Sequence, residues 1–300
     1  MKRPPDYHQA LPFTFLGIDP EEYPYEACPV AILPIPYEAT TSFMAGTRDG
    51  PREILNASRF IELYDEELSC ETSKIGIFTL PDVETVASSP SDMVEEIYRA
   101  AKAVLADDKF LVSLGGEHTI TPPLVRAFAE RHPGLSVLQI DAHGDLRDSY
   151  MGSRYSHACA MRRVLDEGVN GVQVGIRSMC AEEIEALPSL KTRVFYAYAT
   201  RSNPDWQKQV VDALGETVYV TIDLDGLDPS IMPAVGTPEP GGLSWYETLD
   251  LLRDVCAARR VVGFDVNELA PIPGFGSPNF VAAKLVYKLV GYAFRDRLKK

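Results

Sequence analysis

Three things are scarce in this 300-residue chain, and each scarcity narrows what it can be. There are five cysteines, at positions 28, 70, 159, 180 and 256, odd in number and without a C-x-x-C pair. That spacing builds neither a disulfide framework nor a zinc ribbon, and reads as reduced thiols in a cytosolic protein. Long apolar runs are missing too: nothing approaches the roughly 18–20 residues that span a bilayer. The opening M-K-R-P-P-D-Y-H lacks the apolar core of a signal peptide, so a cytoplasmic protein with no membrane partner is expected. Basic charge is also short, with 29 Lys and Arg against 43 Asp and Glu and a net charge of −14. The acids are spread along the chain, which argues against a nucleic-acid partner and is compatible with a small cationic substrate, although solubility alone explains such a charge. With no repeat, low-complexity segment or linker, residues 1–300 read as one domain.

What is present is an ordinary globular composition, 45% hydrophobic and 24% charged. Residues 1–28, rich in Pro, Tyr and acids, read as an irregular arm. Short apolar strands are expected at Val30–Leu33, Ile75–Leu80, Phe110–Leu114, 135–141, Val172–Ile176, Arg193–Ala197, Val218–Asp223 and Val261–Val266. Between them the pattern predicts helices at Pro51–Arg59, from Ser89 or Ser91 to Ala106, at Pro122–Arg131, Ser156–Glu167, Ala181–Leu187, Pro204–Leu214 and Ser244–Ala258, with a closing helix at Asn279–Arg297. The Gly/Thr-rich loop near 38–51 is too long for a tight turn and is a candidate cover for a site. Strand–helix alternation means a parallel sheet with helices on both faces. Periodicity leaves an open doubly wound sheet and a closed eightfold barrel equally allowed.

The informative polar residues fall where these strands end. V-L-Q-I-D-A-H-G-D (137–145) carries Asp141, His143 and Asp145 at alternate positions, so in extended backbone all three face one point. His118 follows a Gly-Gly turn, Asp223 and Asp225 close T-I-D-L-D, and Glu268 lies in D-V-N-E. In parallel α/β sheets the carboxyl ends of the strands form the ligand-binding edge. His118, Asp141, His143, Asp145, Asp223 and Asp225 make four carboxylates and two imidazoles with no thiolate, a set suited to Mn²⁺, Fe²⁺ or Co²⁺ rather than structural zinc. So many acids together repel one another unless cations neutralise them, and two divalent ions balance them well. Ions about 3.5–4 Å apart can share a water and lower its pKa to near 7.

Five segments, G-G-E-H-T-I (115–120), D-A-H-G-D-L-R (141–147), Y-S-H-A-C-A-M-R-R (155–163), T-I-D-L-D-G-L-D-P (221–229) and G-F-D-V-N-E-L-A-P (263–271), closely resemble the signature blocks of the ureohydrolases, the family of arginase and agmatinase. The resemblance runs from about Val30 to near the C-terminus. It implies a three-layer α/β/α fold with an eight-stranded, mostly parallel sheet, which decides against the barrel. It also implies two Mn²⁺ per subunit, one on His118, Asp141, Asp145 and Asp223, the other on His143, Asp141, Asp223 and Asp225.

By the same likeness a metal-bridging hydroxide attacks a guanidinium carbon. Asp145 passes a proton to the departing amine, His157 shuttles protons with solvent, and Glu268 holds the guanidinium. A carboxylate suits that planar cation, because two parallel hydrogen bonds fix it. Cys159, two residues past His157, has nothing nearby to activate a thiolate. L-R-D-S-Y-M-G-S-R-Y-S (146–156) and G-I-R-S-M-C (175–180) lack the groups with which arginases grip an amino acid, and the loop at 44–55 resembles that of agmatinases. Agmatine, hydrolysed to putrescine and urea, is therefore the expected substrate. Aminopropyl-agmatine, guanidinobutyrate and arginine are alternatives, and a non-catalytic metal-binding regulator is the reading from another class. Family habit implies a homo-oligomer, a trimer or hexamer.

Overall fold

The computed structural model describes residues 10–298. Its strands are, in chain order, β1 (Val30–Ile35), β2 (Tyr64–Asp65), β3 (Cys70–Glu71), β4 (Ile77–Thr79), β5 (Phe110–Gly115), β6 (Ser136–Ile140), β7 (Asn170–Ile176), β8 (Thr192–Tyr196), β9 (Thr217–Asp223) and β10 (Arg260–Asn267). The helices are α1 (Gly50–Ser58), α2 (Pro90–Ala106), α3 (Thr121–Arg131), α4 (Ala160–Asp166), α5 (Ala181–Ala186), α6 (Ala197–Thr200), α7 (Trp206–Ala213), α8 (Trp245–Ala258) and α9 (Ser277–Leu298). β2 and β3 form a small antiparallel ribbon, and the other strands join one eight-stranded sheet, ordered β4-β1-β5-β10-β9-β6-β7-β8. Every pairing in that sheet is parallel. With β4 and β8 as free edges, it is the open three-layer arrangement and not the barrel.

The strands are near-continuous apolar runs because both faces are covered. Along β1, Val30 and Ile32 enter one apolar cluster with α1, α7, α8 and α9, while Ala31, Leu33 and Ile35 enter the other with α2, α3 and α4. β1 extends past the expected Leu33 through Pro34. Its partner β4 reaches only to the level of Ile32, so Pro34, which has no N–H, sits where the strand has a neighbour on one side alone. Two expected caps are in place. Ser89 Oγ accepts from Asp92 N (3.2 Å) to start α2, and Ser244 and Glu247 form a capping box at α8 (3.3 and 2.8 Å).

Between residues 10 and 28 the chain holds only two short 3-10 turns, Phe15–Gly17 and Tyr25–Ala27. The stretch 10–28, read as part of an irregular arm, is tied to the body; residues 1–9 of that arm lie outside the described residues. Phe15 and Leu16 are core residues. Their N–H groups donate to Thr79 Oγ1 and Ser58 Oγ at 2.8 Å. They lie in the apolar run A-L-P-F-T-F-L-G-I (10–18), within which Leu11 and Phe13 stay exposed.

The path of the chain positions the site. It lays down β1, steps out to β4, returns with β5, crosses to β6, β7 and β8, then comes back with β9 and β10 to fill the gap between β5 and β6. The four neighbours β5, β10, β9 and β6 therefore end on one rim at a topological switch point, where α/β sheets bind ligands.

Candidate metal centre

Each of the four central strands delivers one block of polar residues to that rim. After β5 the chain turns through Gly116 to the short helical turn His118–Ile120. A Cβ on Gly116 would lie 2.0 Å from the Tyr37 carbonyl oxygen, so only glycine lets the turn pass. After β6 come Asp141, His143 and Asp145, and β9 ends at Asp223 with Asp225 two residues on. Glu268 follows β10. Asp145 and Glu268 both adopt left-handed backbone, φ +53° and +66°, which non-glycine residues rarely occupy.

His118 Nδ1 lies 3.2 Å from Asp141 Oδ2, 3.0 Å from Asp145 Oδ2 and 3.4 Å from Asp223 Oδ2, yet makes no well-directed hydrogen bond to any of them. Its other nitrogen, Nε2, is 2.9 Å from Thr221 Oγ1, and that hydroxyl donates to Asp265 Oδ1 at 2.6 Å. In the neutral ring the proton therefore sits on Nε2, and a bare Nδ1 lone pair faces three carboxylates. A cation at their common focus, or in its absence a proton on Nδ1, makes that arrangement favourable. The second half adjoins it: His143 Nδ1 is 2.9 Å from Asp225 Oδ2 and 3.6 Å from Asp141 Oδ1. Asp141 thus turns one oxygen to each half. His118, Asp141 and Asp145 form one group with metal-ligand spacing, and Asp141, His143 and Asp225 form another. The donors fit a pair of hard divalent cations.

Without cations, protons fill the charge deficit. Burial, then Asp141, pushes the Asp145 carboxyl up to about 7. Burial and Asp225 hold Asp223 well above its ordinary value, and burial and Glu117 do the same to Glu268. Burial opposes charging the imidazoles, but Asp225 and Asp141 push His143 up to about 12, and Asp141, Asp145 and Asp223 raise His118. His157 goes the other way, down to about 4, through burial and its charged neighbours His143 and His118.

His143, Asp145, His157 and Asp223 line a cavity of about 230 Å³ together with Tyr150 and Met179. His157 Nε2 is buried there and has no hydrogen-bond partner. The loop after β1, expected as a candidate cover, contributes Ser42 to the wall of the same cavity. Glu268 is 6% exposed, spends Oε1 on the His118 N–H (2.6 Å), and is not part of the cavity wall. Cys159 is fully buried, and burial, then Asp145, pushes its thiol up to about 11.

Several supporting residues escaped the sequence reading. Buried Glu117 accepts from Ala39 N, Thr40 N, Thr40 Oγ1 and Thr119 Oγ1 at 2.7–2.9 Å, and Thr40 Oγ1 in turn accepts from His157 N at 3.0 Å. One carboxylate thus joins the loop, His118's turn and His157. Gln139 Nε2 donates to Asp141 Oδ2 (2.6 Å), and Gln173 Nε2, opposite it in the sheet, donates to Gln139 Oε1 (2.6 Å). Asp265 accepts from Tyr219, Thr221, Thr121 and Asn267. The available signal was a polar side chain at a buried register position inside an apolar strand, as in V-L-Q-I, V-Q-V and G-F-D-V.

An open parallel sheet whose rim carries two adjoining carboxylate–imidazole groups defines a class, the α/β/α proteins built to hold a pair of divalent cations. Within it, the chain belongs to the arginase family of ureohydrolases, whose model matches residues 28–291. It is 42% identical to an N(1)-aminopropylagmatine ureohydrolase of Synechocystis sp., over 92% of this chain and 92% of that protein. It is 33% identical to an agmatinase of Pyrococcus horikoshii, over 88% and 92% respectively. Among solved structures, the agmatine ureohydrolase of Thermoplasma volcanium superposes with a TM-score of 0.83 at 31% identity, over 92% of this chain and 93% of that one. Among the described residues no helix is long and apolar enough to cross a membrane.

Proposed function

We propose that this chain hydrolyses the guanidinium end of a linear guanidino-amine, releasing urea and leaving a polyamine, with two Mn²⁺ as its metal. His118, Asp141, Asp145 and Asp223 would hold one ion and His143, Asp141, Asp223 and Asp225 the other. The observation that carries the reading is the pair of adjoining ligand groups sharing Asp141, beside a cavity that His157 also lines. When bound, the cations supply Lewis acidity and a nucleophile at neutral pH. The protein's own groups do the rest. By the family likeness Glu268, although it lies outside the cavity lining, would hold the guanidinium by its second oxygen, Asp145 would hand a proton to the departing amine nitrogen as the C–N bond breaks, and His157 would exchange protons with solvent. By likeness to the family, the chain would act in the cytoplasm as a homo-oligomer.

For the substrate we place N(1)-aminopropylagmatine ahead of the agmatine expected from the sequence. The support is the relative at 42% identity that bears that name, against 33% for the agmatinase. Agmatine is the second reading, favoured by the structural likeness to an agmatine ureohydrolase. The test is urea release by the Mn²⁺-loaded protein from aminopropylagmatine, agmatine, guanidinobutyrate and arginine. The highest kcat/KM is expected with aminopropylagmatine. A higher value for agmatine would reverse the order, and no urea from any of them would favour a non-catalytic metal-binding role.

A further inference from the structure

Arg177 follows β7 directly, where the ladder with β8 shifts register between Val174 and Ile176. Gly175 makes that irregularity: its φ is +89°, and a Cβ there would come within 3.0 Å of the Asp141 carbonyl oxygen. Beyond the kink the Arg177 guanidinium lies half-buried on main-chain oxygens. Nη1 donates to Gly175 O (3.0 Å) and Gly226 O (3.3 Å), and Nη2 to Asp225 O (2.6 Å), Leu227 O (3.3 Å) and Glu239 O (2.7 Å), while Nε donates to Glu239 O (3.2 Å). A guanidinium has five N–H donors, so none is left for a substrate.

What those carbonyls belong to gives the contact its meaning. Asp225 presents Oδ2 to His143 Nδ1 at 2.9 Å, and Glu239 presents Oε1 at 4.0 Å from His143 Nε2. The acidic neighbours on both nitrogens of one imidazole therefore hang from backbone that a single guanidinium anchors. The other imidazole, His118, is held differently, through Thr221 and Asp265.

We infer that Arg177 is a positioning residue for the His143–Asp225 half of the cluster, setting the affinity for the second divalent ion without touching the substrate. The inference rests on the two-ion reading above. Groups that orient a ligand from behind typically change metal affinity by about 10–100-fold. Lysine cannot replace this one, because a single ammonium does not span carbonyls from three separate segments.

The test is Mn²⁺ titration by calorimetry of chelator-stripped wild type, Arg177→Lys and Arg177→Gln, with circular dichroism to confirm folding. Wild type should take up two ions. The variants should bind one ion as wild type does and the second about 10–100-fold more weakly, with kcat restored by added Mn²⁺ and KM unchanged. Two ions bound at wild-type affinity would overturn the proposal. So would a raised KM at saturating Mn²⁺, or loss of fold in both variants, which would make Arg177 a general clamp. If wild type itself takes no second ion, the two-ion reading falls first and the proposal with it.

Discussion

Thr221→Val is the sharpest probe of how the His118 half is built. Valine keeps the branched shape and opens no cavity, so the change removes a hydroxyl and little else. That hydroxyl sits 2.9 Å from His118 Nε2 and donates to Asp265 Oδ1 at 2.6 Å. Asp265 keeps donors from Tyr219, Thr121 and Asn267 and stays satisfied. The ring Nε2–H of His118 does not, since it is buried and Thr221 Oγ1 is its one hydrogen-bond partner. Leaving one such donor unpaired costs about 1–3 kcal/mol. If the cost falls on the cation-bound state, it corresponds to a loss of about 5–150-fold in affinity for the first ion. If it falls equally on both states, it appears as lost stability instead. Mn²⁺ titration measures the first, and urea unfolding in excess chelator the second. Wild-type affinity together with wild-type stability would refute the claim that Thr221 fixes the ring.

Three further outcomes follow from the same geometry. Glu268→Gln keeps an acceptor for the His118 N–H but loses the charge, so metal content should persist while kcat/KM falls by roughly 10–100-fold; metal analysis with a urea assay checks both. In the stripped protein the Asp145 carboxyl is raised from its ordinary 3.8 to about 7, so its protonated form favours the fold below about pH 4, and that contribution is lost as pH rises through about 7. Relative to Asp145→Asn, stripped wild type should therefore lose stability between pH 4 and pH 7, by at most about 4 kcal/mol; a difference independent of pH in paired urea melts would refute this. Cys159→Ala should leave kcat within about twofold and iodoacetamide should not inactivate the enzyme, because a buried thiol raised to about 11 supplies no thiolate.

The parts of this molecule that were legible in its sequence are those encoded locally. Asp141, His143 and Asp145 announce themselves as an acid–imidazole–acid block just past an apolar strand, and capping chemistry marks Ser89 and Ser244 as helix starts. The expected period of two is not what arranges the three, because β6 ends at Ile140, Asp145 has left-handed backbone, and His143 and Asp145 serve different groups. Strand order was not legible. Nothing in residues 217–267 says that β9 and β10 insert between β5 and β6, and only that insertion brings Asp223 and Asp225 beside His118 and Asp141. Sequence-distant pairing is set by which surfaces bury best together, a property of the whole sheet. The polar supports were hidden for a related reason. Gln139 and Gln173 interrupt two apolar strands, and their pairing appears only when the parallel register sets them opposite each other; Arg177 carries no sequence signal of the carbonyls that hold its donors.

The left-handed residues show what the assembled surroundings are for. A non-glycine side chain in that conformation costs about 1–2 kcal/mol, and Asp145 and Glu268 both bear it. Glycine would relieve the strain and lose the carboxylate. Neighbouring backbone hydrogen bonds offset the cost on each side. The Asp145 carbonyl accepts from Arg162 N at 2.9 Å and the next residue, Leu146, donates to Glu183 Oε1 at 2.8 Å. Glu268 N donates to Gly116 O at 2.8 Å, and Ala270 N to Ala234 O at 2.9 Å. Both partners of Asp145 come from elements later in the chain, and Gly116 belongs to the strand end that also carries His118. The strained conformations are therefore held by hydrogen bonds to segments distant along the chain, which exist only in the assembled fold.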